Sequence, residues 1–215
     1  MATDGPVVQV RGEATREVPP ELARFAVTVT ARARDREATL TQLAERAAAV
    51  RVLLDASEPA VARREAGDLW VRPQTKRSGE RVVGWLGSVT TTVTVTDFTA
   101  LGELMLRLAD QDQVEVAGPW WELRPDSPAY REARHAAIND ALLRAREYAE
   151  ALGARVTALI ELADSGPGDR PMFARAAFDV GGAGGGAPEL ELDPRPQTVQ
   201  AAVQARFTIS DPVLG

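Results

Sequence analysis

Apolar and polar side chains alternate along several stretches of the chain. From Leu22 to Ala33 the odd positions are apolar from Phe25 onward, and threonine and arginine take most of the even ones. The same period recurs in 85–96, 156–162 and 199–209. A period of two predicts strands with one apolar face. Further strands are predicted at Val7 to Arg11, Gly67 to Thr75 and Gln113 to Leu123, the last interrupted by Gly118-Pro119.

Three other stretches place apolar residues three or four positions apart, which predicts helices. Asp35 is the expected N-cap of the first, and Thr96 or Asp97 that of the second. The buried stripe of the first would be Leu40, Leu43, Ala47, Val50 and Leu54, and that of the second Phe98, Leu101, Leu104, Met105 and Leu108. A short connection from Lys76 to Glu80 is typical of a hairpin.

The longest predicted helix runs from Ser127 to Gly153 and has clear signals at both ends. Ser127 suits the N-cap, Pro128 the first helical position and Gly153 the left-handed residue that ends a helix. The predicted apolar stripe is Tyr130, Ile138, Ala141, Leu142, Ala145, Tyr148, Ala149 and Leu152. Its alanines allow a close approach, so we expect this helix to pack tightly on a sheet.

The order of these elements predicts an α+β fold: a mainly antiparallel sheet with helices packed on one face. The first part reads as a ferredoxin-like βαββαβ arrangement, followed by the long helix and two C-terminal strands. We expect a single domain over residues 1–215. Residues 164–196 are rich in proline and glycine and predict a flexible loop, with one helical turn near Met172 to Phe178.

Composition narrows the possible functions. The 215 residues are 45% hydrophobic, and 31 acidic against 25 basic side chains give a formal charge of -6. An acidic chain does not favour nucleic acid as a partner. The absence of cysteine excludes disulfides and thiol chemistry. The sequence shows neither a secretory signal nor a membrane-spanning run, so we expect a cytoplasmic protein with no membrane span.

Several motifs, in order, resemble those of the SIMPL-domain family. Val8, Val10 and Gly12 form an opening V-x-V-x-G, and Gly84-Trp85 precede an alternating valine and threonine strand. The most specific segment is in the long helix, where the family signature is matched with one extra residue near Ala136. The matching helix residues are Ala133, Arg134, Ile138, Asp140, Ala141, Ala145, Tyr148, Ala149, Leu152 and Gly153.

The resemblance covers nearly the whole chain and implies a non-enzymatic protein. The family includes a partner of an innate-immune receptor kinase and bacterial envelope proteins that assemble into large ring- or channel-like oligomers. It implies a scaffold or interaction module that forms a homo-oligomer, with a stress-related role as a looser association. It offers no catalytic residues to carry over. The sequence departs from the family where Pro196 is followed by Gln197 rather than glycine.

The residues themselves offer few candidates for chemistry. His135 is the only histidine, too little for a triad or a histidine-based metal site. The run Gly181 to Gly186 lacks the lysine and helix of a phosphate-binding loop. Asp140, Glu147 and Glu150 leave a carboxylate-dependent hydrolase as a minor alternative, although Asp140 and Arg144 have the spacing of a surface ion pair. We therefore predict no catalytic residue, no metal and no cofactor.

Trp120 and Trp121 are the clearest candidates for a contact surface. Neighbouring strand residues point to opposite faces, so one of the two is expected in the core and the other on the outer face. The threonines of the alternating strand form a polar face. The candidate interface is Trp120, Trp121, Thr90, Thr92 and Thr94. Three interpretations stay open: simple solvation, a subunit or protein-partner interface, and a small-ligand-binding module formed by the Trp121 region and the mobile loop.

Overall fold

The structure is a computed structural model that describes residues 5–58, 60–75, 81–165, 190 and 192–213. The Lys76 to Glu80 connection, the helical turn near Met172 to Phe178 and most of the 164–196 loop lie outside these residues. Ten elements follow in order: β1 (Val7–Val18), β2 (Leu22–Ala33), α1 (Arg36–Asp55), β3 (Val61–Thr75), β4 (Val82–Val95), α2 (Leu101–Ala109), β5 (Val114–Glu122), α3 (Pro128–Ala151), β6 (Val156–Asp164) and β7 (Gln197–Ile209).

The chain divides into two compact units. The three-stranded unit contains Met1–Pro19, Leu123–Ala177 and Pro196–Gly215, and the four-stranded unit contains Pro20–Glu122 and Phe178–Arg195. The α+β class with antiparallel strands is confirmed, and the strands form two sheets rather than one. The expectation that 1–215 is a single domain stays a prediction.

The four-stranded unit has the βαββαβ order predicted from the sequence. Its strands lie in the order β3-β4-β2-β5, and each neighbouring pair is antiparallel. This is the ferredoxin-like arrangement, in which each helix connects two strands that are not neighbours in the sheet. The interruption predicted at Gly118-Pro119 is present as a bulge, seen as a register shift between β2 and β5.

One face of this sheet is covered by α1 and α2. The alternation of β2 sends Phe25, Val27 and Val29 into this core, where none is more than 2% exposed. The helices contribute Leu43, Val50 and Leu54 from α1 and Leu101, Leu104, Met105 and Leu108 from α2. The other face of the same four strands therefore carries the even-numbered residues of β2.

The two helix starts of this unit differ. Asp35 caps α1 as predicted, with its carboxylate accepting from the N–H of Ala38 at 2.8 Å. The prediction that Thr96 or Asp97 caps α2 is wrong, because the N-cap is Ala100. The carboxylate of Asp97 instead accepts from the hydroxyl of Thr99 at 2.5 Å and from the N–H of Thr99 at 3.0 Å. These two hydrogen bonds, the hydroxyl first, hold the pKa of Asp97 below its ordinary value.

The three-stranded unit has the strand order β1-β7-β6, again antiparallel throughout. α3 packs mainly on β1 and β7. Its ends confirm the sequence signals: Ser127 accepts from the N–H of Ala129 at 3.3 Å, Pro128 opens the helix, and Gly153 has φ +66°. The turn that follows α3 has a further hydrogen bond, which the N–H of Val213 donates to the carbonyl of Leu152 at 2.9 Å.

The buried stripe of α3 is narrower than predicted. It consists of alanines at every fourth position, namely Ala129, Ala133, Ala137, Ala141, Ala145 and Ala149. Ile138, Tyr148 and Leu152 were expected in the stripe but are exposed. The reason is the close approach of backbones: a Cβ on Gly12 of β1 would lie 2.7 Å from the Cβ of Ala141. At that separation only small side chains fit between the helix and the sheet.

Candidate interaction surface

The face of the four-stranded sheet opposite α1 and α2 carries the predicted threonines. Strand register aligns them in rows, because residues paired across antiparallel strands point to the same side. We call this surface the tryptophan face. It consists of Arg24, Thr28, Trp70, Ser88, Thr90, Thr92, Thr94 and Trp120.

The two adjacent tryptophans lie on opposite sides of β5, as expected from strand geometry. Trp120 pairs with Arg24 on the tryptophan face and is 39% exposed. Trp121 pairs with Ala23 on the helix side, where its ring meets that of Phe98 edge-on at 4.9 Å. Trp121 is thus a core residue, and a surface that includes Trp120 does not include it.

The threonines form the centre of the tryptophan face. Thr28 and Thr90 are paired across β2 and β4, with their hydroxyl oxygens 3.1 Å apart. Thr92 pairs with Ala26 and is partly exposed, whereas Thr94 is buried. Three of the predicted interface residues, Thr90, Thr92 and Trp120, therefore combine exposure with a position on one face.

Trp70 is a member of this surface that the sequence analysis did not single out. It lies on β3, pairs with Ser88 and is 37% exposed. The guanidinium of Arg72 stacks over its ring, 4.3 Å from the ring centre. The sequence does contain a signal for the outward position of Trp70. Neighbouring strand residues point to opposite faces, and in Trp70-Val71-Arg72 it is Val71 that packs on the core. The bulges of β3 hide this alternation over the rest of the strand.

The two exposed tryptophans are far apart. β3 and β5 are the outer strands, so three strand spacings of about 4.8 Å separate them. Trp70 is level with Ser88 and Trp120 with Thr94, a further six residues, or about 20 Å, along β4. Together these spacings put the rings roughly 25 Å apart. That distance exceeds the span of a small molecule and suits an extended partner.

A charged cluster borders Trp120. Arg24 pairs with Glu122, with nitrogen and oxygen 3.2 Å apart. Burial raises the pKa of Glu122 above its ordinary value, and the positive charge of Arg24 offsets this only in part. The Nε atom of Arg24 is a buried donor without an acceptor among the described residues. Arg63, next to Thr94, pairs with Glu65 at 2.9 Å, so the cations of this region are largely balanced by carboxylates.

The candidates for catalysis do not come together. His135 is exposed on α3. Asp140 uses one oxygen twice, accepting from the backbone N–H of Glu13 at 2.9 Å and pairing with Arg144 at 3.0 Å. The predicted ion pair is thus present, and Asp140 also binds the outer strand β1. Glu147 and Glu150 are exposed. The described residues contain no group of three or more histidine, cysteine or carboxylate side chains that could hold a metal ion.

The sequence profile of the SIMPL family, described as a protein of unknown function (DUF541), matches residues 8–207. The chain belongs to the SIMPL family. No curated protein matches it. Among the helices that the structure describes, none is long and apolar enough to cross a membrane.

The family residues named from the sequence have structural roles in this SIMPL chain. Gly12 lies directly beneath α3, and Ala133, Ala141 and Ala145 are the small residues that face the sheet. Asp140 binds β1, and Gly153 ends α3. The SIMPL signature in this chain is therefore a signature of how the long helix packs.

One similar solved structure comes from Burkholderia cenocepacia and is provisionally described as an amidohydrolase/peptidase. It shares 16% identity with this chain at a TM-score of 0.29, over 64% of this chain. The matched part spans only 36% of that protein. At this level of similarity the comparison carries no argument about fold or reaction.

Proposed function

We propose that this SIMPL protein is a non-enzymatic interaction module that self-associates, with the tryptophan face as one contact between subunits. The observation that carries the proposal is the pair of exposed tryptophans, Trp70 and Trp120, on a sheet face with threonines between them. Tryptophan is enriched at interfaces, and exposed aromatic rings on a flat polar surface are typical contact residues. The roughly 25 Å between the rings favours a protein surface over a small molecule.

The surroundings of Asp140 support the non-enzymatic proposal over a carboxylate-dependent hydrolase. Asp140 is held by Glu13 and Arg144, and an acid–base pair needs a second group within reach of the same substrate atom. A reproducible turnover lost in both Asp140→Ala and His135→Ala, with folding intact, would contradict the non-enzymatic proposal.

The test of self-association is the solution mass, measured by size-exclusion chromatography with light scattering over a hundredfold range of concentration. We expect an oligomer whose mass falls on dilution. A monomer at every concentration would overturn the proposal.

In an oligomer, Trp120→Ala should weaken the contact between subunits at least about tenfold, since aromatic residues dominate interface energies. Tyr148→Ala is the matched control, because Tyr148 is an exposed aromatic residue on α3 of the three-stranded unit.

A small-ligand-binding module is the second candidate, here placed at Trp120 instead of the Trp121 region and the loop, because Trp121 packs against the core. Among the described residues the buried Nε donor of Arg24 has no acceptor, and Arg24 lies on the same face as the exposed ring of Trp120, a combination that suits a polar aromatic ligand. A ligand that binds only the folded protein raises its melting temperature. A thermal-shift screen should then give a rise that Trp120→Ala abolishes, together with a monomeric mass.

A further inference from the structure

Two exposed arginines flank a leucine at the Trp70 end of the tryptophan face. Arg32 of β2 and Arg72 of β3 both pair with Leu86 of β4, so the three side chains form one row across the sheet. The register puts this row next to that of Trp70 and on the same side of the sheet. β5 begins at Val114 and does not extend as far as Arg32. We call Arg32, Leu86 and Arg72 the arginine row.

The positive charges of the arginine row are not balanced by carboxylates. Neither arginine makes an ion pair with a residue that the structure describes. At the other end of the tryptophan face, by contrast, Arg24 and Arg63 each pair with a glutamate. The two rows that border the arginine row contain only uncharged residues: Thr30, Ser88, Trp70, Gln74 and Gly84. A ligand that covers the arginine row is therefore expected to be anionic.

The guanidinium of Arg72 is already positioned by its contact with Trp70, 4.3 Å from the ring centre. Stacking uses the flat face of the guanidinium and leaves its N–H groups, which lie in the guanidinium plane, able to donate to an oxyanion. The Cα atoms of Arg32 and Arg72 are two strand spacings, about 9.6 Å, apart. Leu86 lies between them and is half-buried. The row therefore offers two forked donors on either side of an apolar side chain.

We propose that the arginine row binds an acidic segment of a partner protein, with one carboxylate on each guanidinium and an apolar side chain over Leu86. The inference rests on the interaction module proposed above, but not on its self-association. A guanidinium binds a carboxylate through two parallel hydrogen bonds. An extended segment with the pattern acidic-x-apolar-x-acidic puts three side chains on one side, about 7 Å apart. The flexible stems of the arginines cover the difference from the strand spacing.

Single-stranded nucleic acid is another anionic partner that arginine and tryptophan side chains bind. A base needs an open aromatic ring face on which to stack, and Arg72 covers one face of Trp70. The formal charge of -6 on this chain also repels a polyanion that extends beyond the row. A short acidic segment avoids most of this repulsion, because it needs only two carboxylates at the row.

The experiment measures, by fluorescence anisotropy, the binding of a labelled peptide that contains Glu-Ser-Leu-Ser-Glu to the full-length protein. The same peptide with glutamine in place of glutamate is the comparison. We expect the glutamate peptide to bind more tightly, with a dissociation constant that rises with salt concentration. Equal binding of the two peptides to the wild type would overturn the inference, and this comparison needs no variant.

Variants of the two arginines locate the site. Arg32→Gln and Arg72→Gln should each raise the dissociation constant of the glutamate peptide about fivefold, and the double variant at least about tenfold. Arg51→Gln is the matched control, because Arg51 is an exposed arginine of the same unit on α1, which covers the opposite side of the sheet. An equal loss in Arg51→Gln would overturn the inference, since the effect would then be one of net charge. Unchanged melting temperatures would show that the losses are not caused by unfolding.

Two further measurements separate this inference from its alternatives. A single-stranded oligonucleotide that binds more tightly than the glutamate peptide, and is lost in the double variant, would assign the row to nucleic acid instead. The double variant should keep the solution mass of the wild type. A lower mass would assign the two arginines to the contact between subunits and overturn the inference. A monomeric wild type that still binds the glutamate peptide through both arginines would overturn self-association and support the inference.

Discussion

At the scale of single residues, Asp140 is a candidate for chemistry whose contacts in the structure are those of a structural residue. Its sequence position suggested an ion pair with Arg144, and that pair is present. The hydrogen bond from the N–H of Glu13 could not be inferred, because β1 and α3 are separated by 127 residues at this contact. The carboxylate satisfies a donor on an outer strand, where an unpaired N–H would otherwise be left.

Replacing Asp140 should therefore cost more than a surface ion pair does. We expect Asp140→Ala to lower the free energy of unfolding by about 1–2 kcal/mol, since it removes a charge-assisted hydrogen bond to the backbone. Arg144→Ala removes only the exposed ion pair and should cost about 0.3–0.5 kcal/mol. Chemical denaturation of both variants gives the comparison. Equal losses would show that the contact with β1 adds nothing.

Glu122 gives a prediction that depends on pH. Burial raises its pKa in the folded protein above the ordinary value of 4.5. The folded state then binds the proton more readily than the unfolded state does. The contribution of Glu122 to the free energy of unfolding is therefore lowest near neutral pH, where the carboxyl group is ionised in both states. Its contribution to stability improves as the pH falls through the folded pKa, and levels off below about 4.5.

Comparison with Glu122→Gln isolates this effect, because glutamine does not titrate. The free energy of unfolding of the wild type, minus that of the variant, should rise as the pH is lowered from 7 to about 4.5. Denaturation curves at several pH values measure this difference. A difference that stays constant or falls over that range would show that the charge of Arg24, not burial, determines the direction in which the pKa of Glu122 is shifted.

At the scale of elements, the contact between α3 and β1 depends on residues without bulk. Gly12 has no room for a side chain: an added Cβ would overlap the carbonyl of Ala137 and lie 2.5 Å from the amide nitrogen of Ala141. Backbone atoms cannot move aside as the end of a flexible side chain can. The close contact explains why the buried stripe of α3 consists of alanine alone.

Gly12→Ala should therefore lower the free energy of unfolding by about 1–3 kcal/mol or more, because it overpacks a contact between two backbones. Gly5→Ala is the matched control in the same unit, since an added Cβ there meets nothing within 4 Å. Thermal and chemical denaturation measure both. If Gly12→Ala were as stable as Gly5→Ala, α3 would not lie against β1 as described.

Element prediction succeeded where one face alone was buried. β2 has the predicted bounds, Leu22 to Ala33, because its alternation between buried and half-buried residues continues through Ala31. The first strand is longer than predicted, ending at Val18 instead of Arg11, since the charged residues of its second half pair with β7 all the same. In α1, Leu40 is exposed and Thr39 is buried, because the hydroxyl of Thr39 donates to the carbonyl of Asp35 at 2.8 Å.

At the scale of the molecule, each unit has its own sheet and its own helices. The four-stranded unit is almost continuous in sequence, whereas the three-stranded unit is assembled from the beginning, the middle and the end of the chain. β7 pairs with β1 across nearly the full length of the chain. Pairing at such separation has no local sequence signal, so the division of the strands between two sheets was not predicted.

The proposed functional surface follows from this division. The tryptophan face exists because both helices of the four-stranded unit pack on the other side of its sheet. Its exposed tryptophans give the self-association proposal its physical basis, and the mass measurements above test it. In the other unit, α3 packs mainly on β1 and β7, which leaves the two leucines of the outer strand β6 exposed.

The sequence by itself determined the class of the fold, the N-cap of α1, both ends of α3, the ferredoxin-like order of the first part and the opposite directions of Trp120 and Trp121. These features depend on local periodicity, capping and strand geometry, which neighbouring residues determine. Only the tertiary structure decided that Trp121 is core, that Asp140 binds β1, and that Trp70 and the two exposed leucines of β6 are surface residues. Burial depends on which distant element packs on a face, and that is a property of the assembled chain.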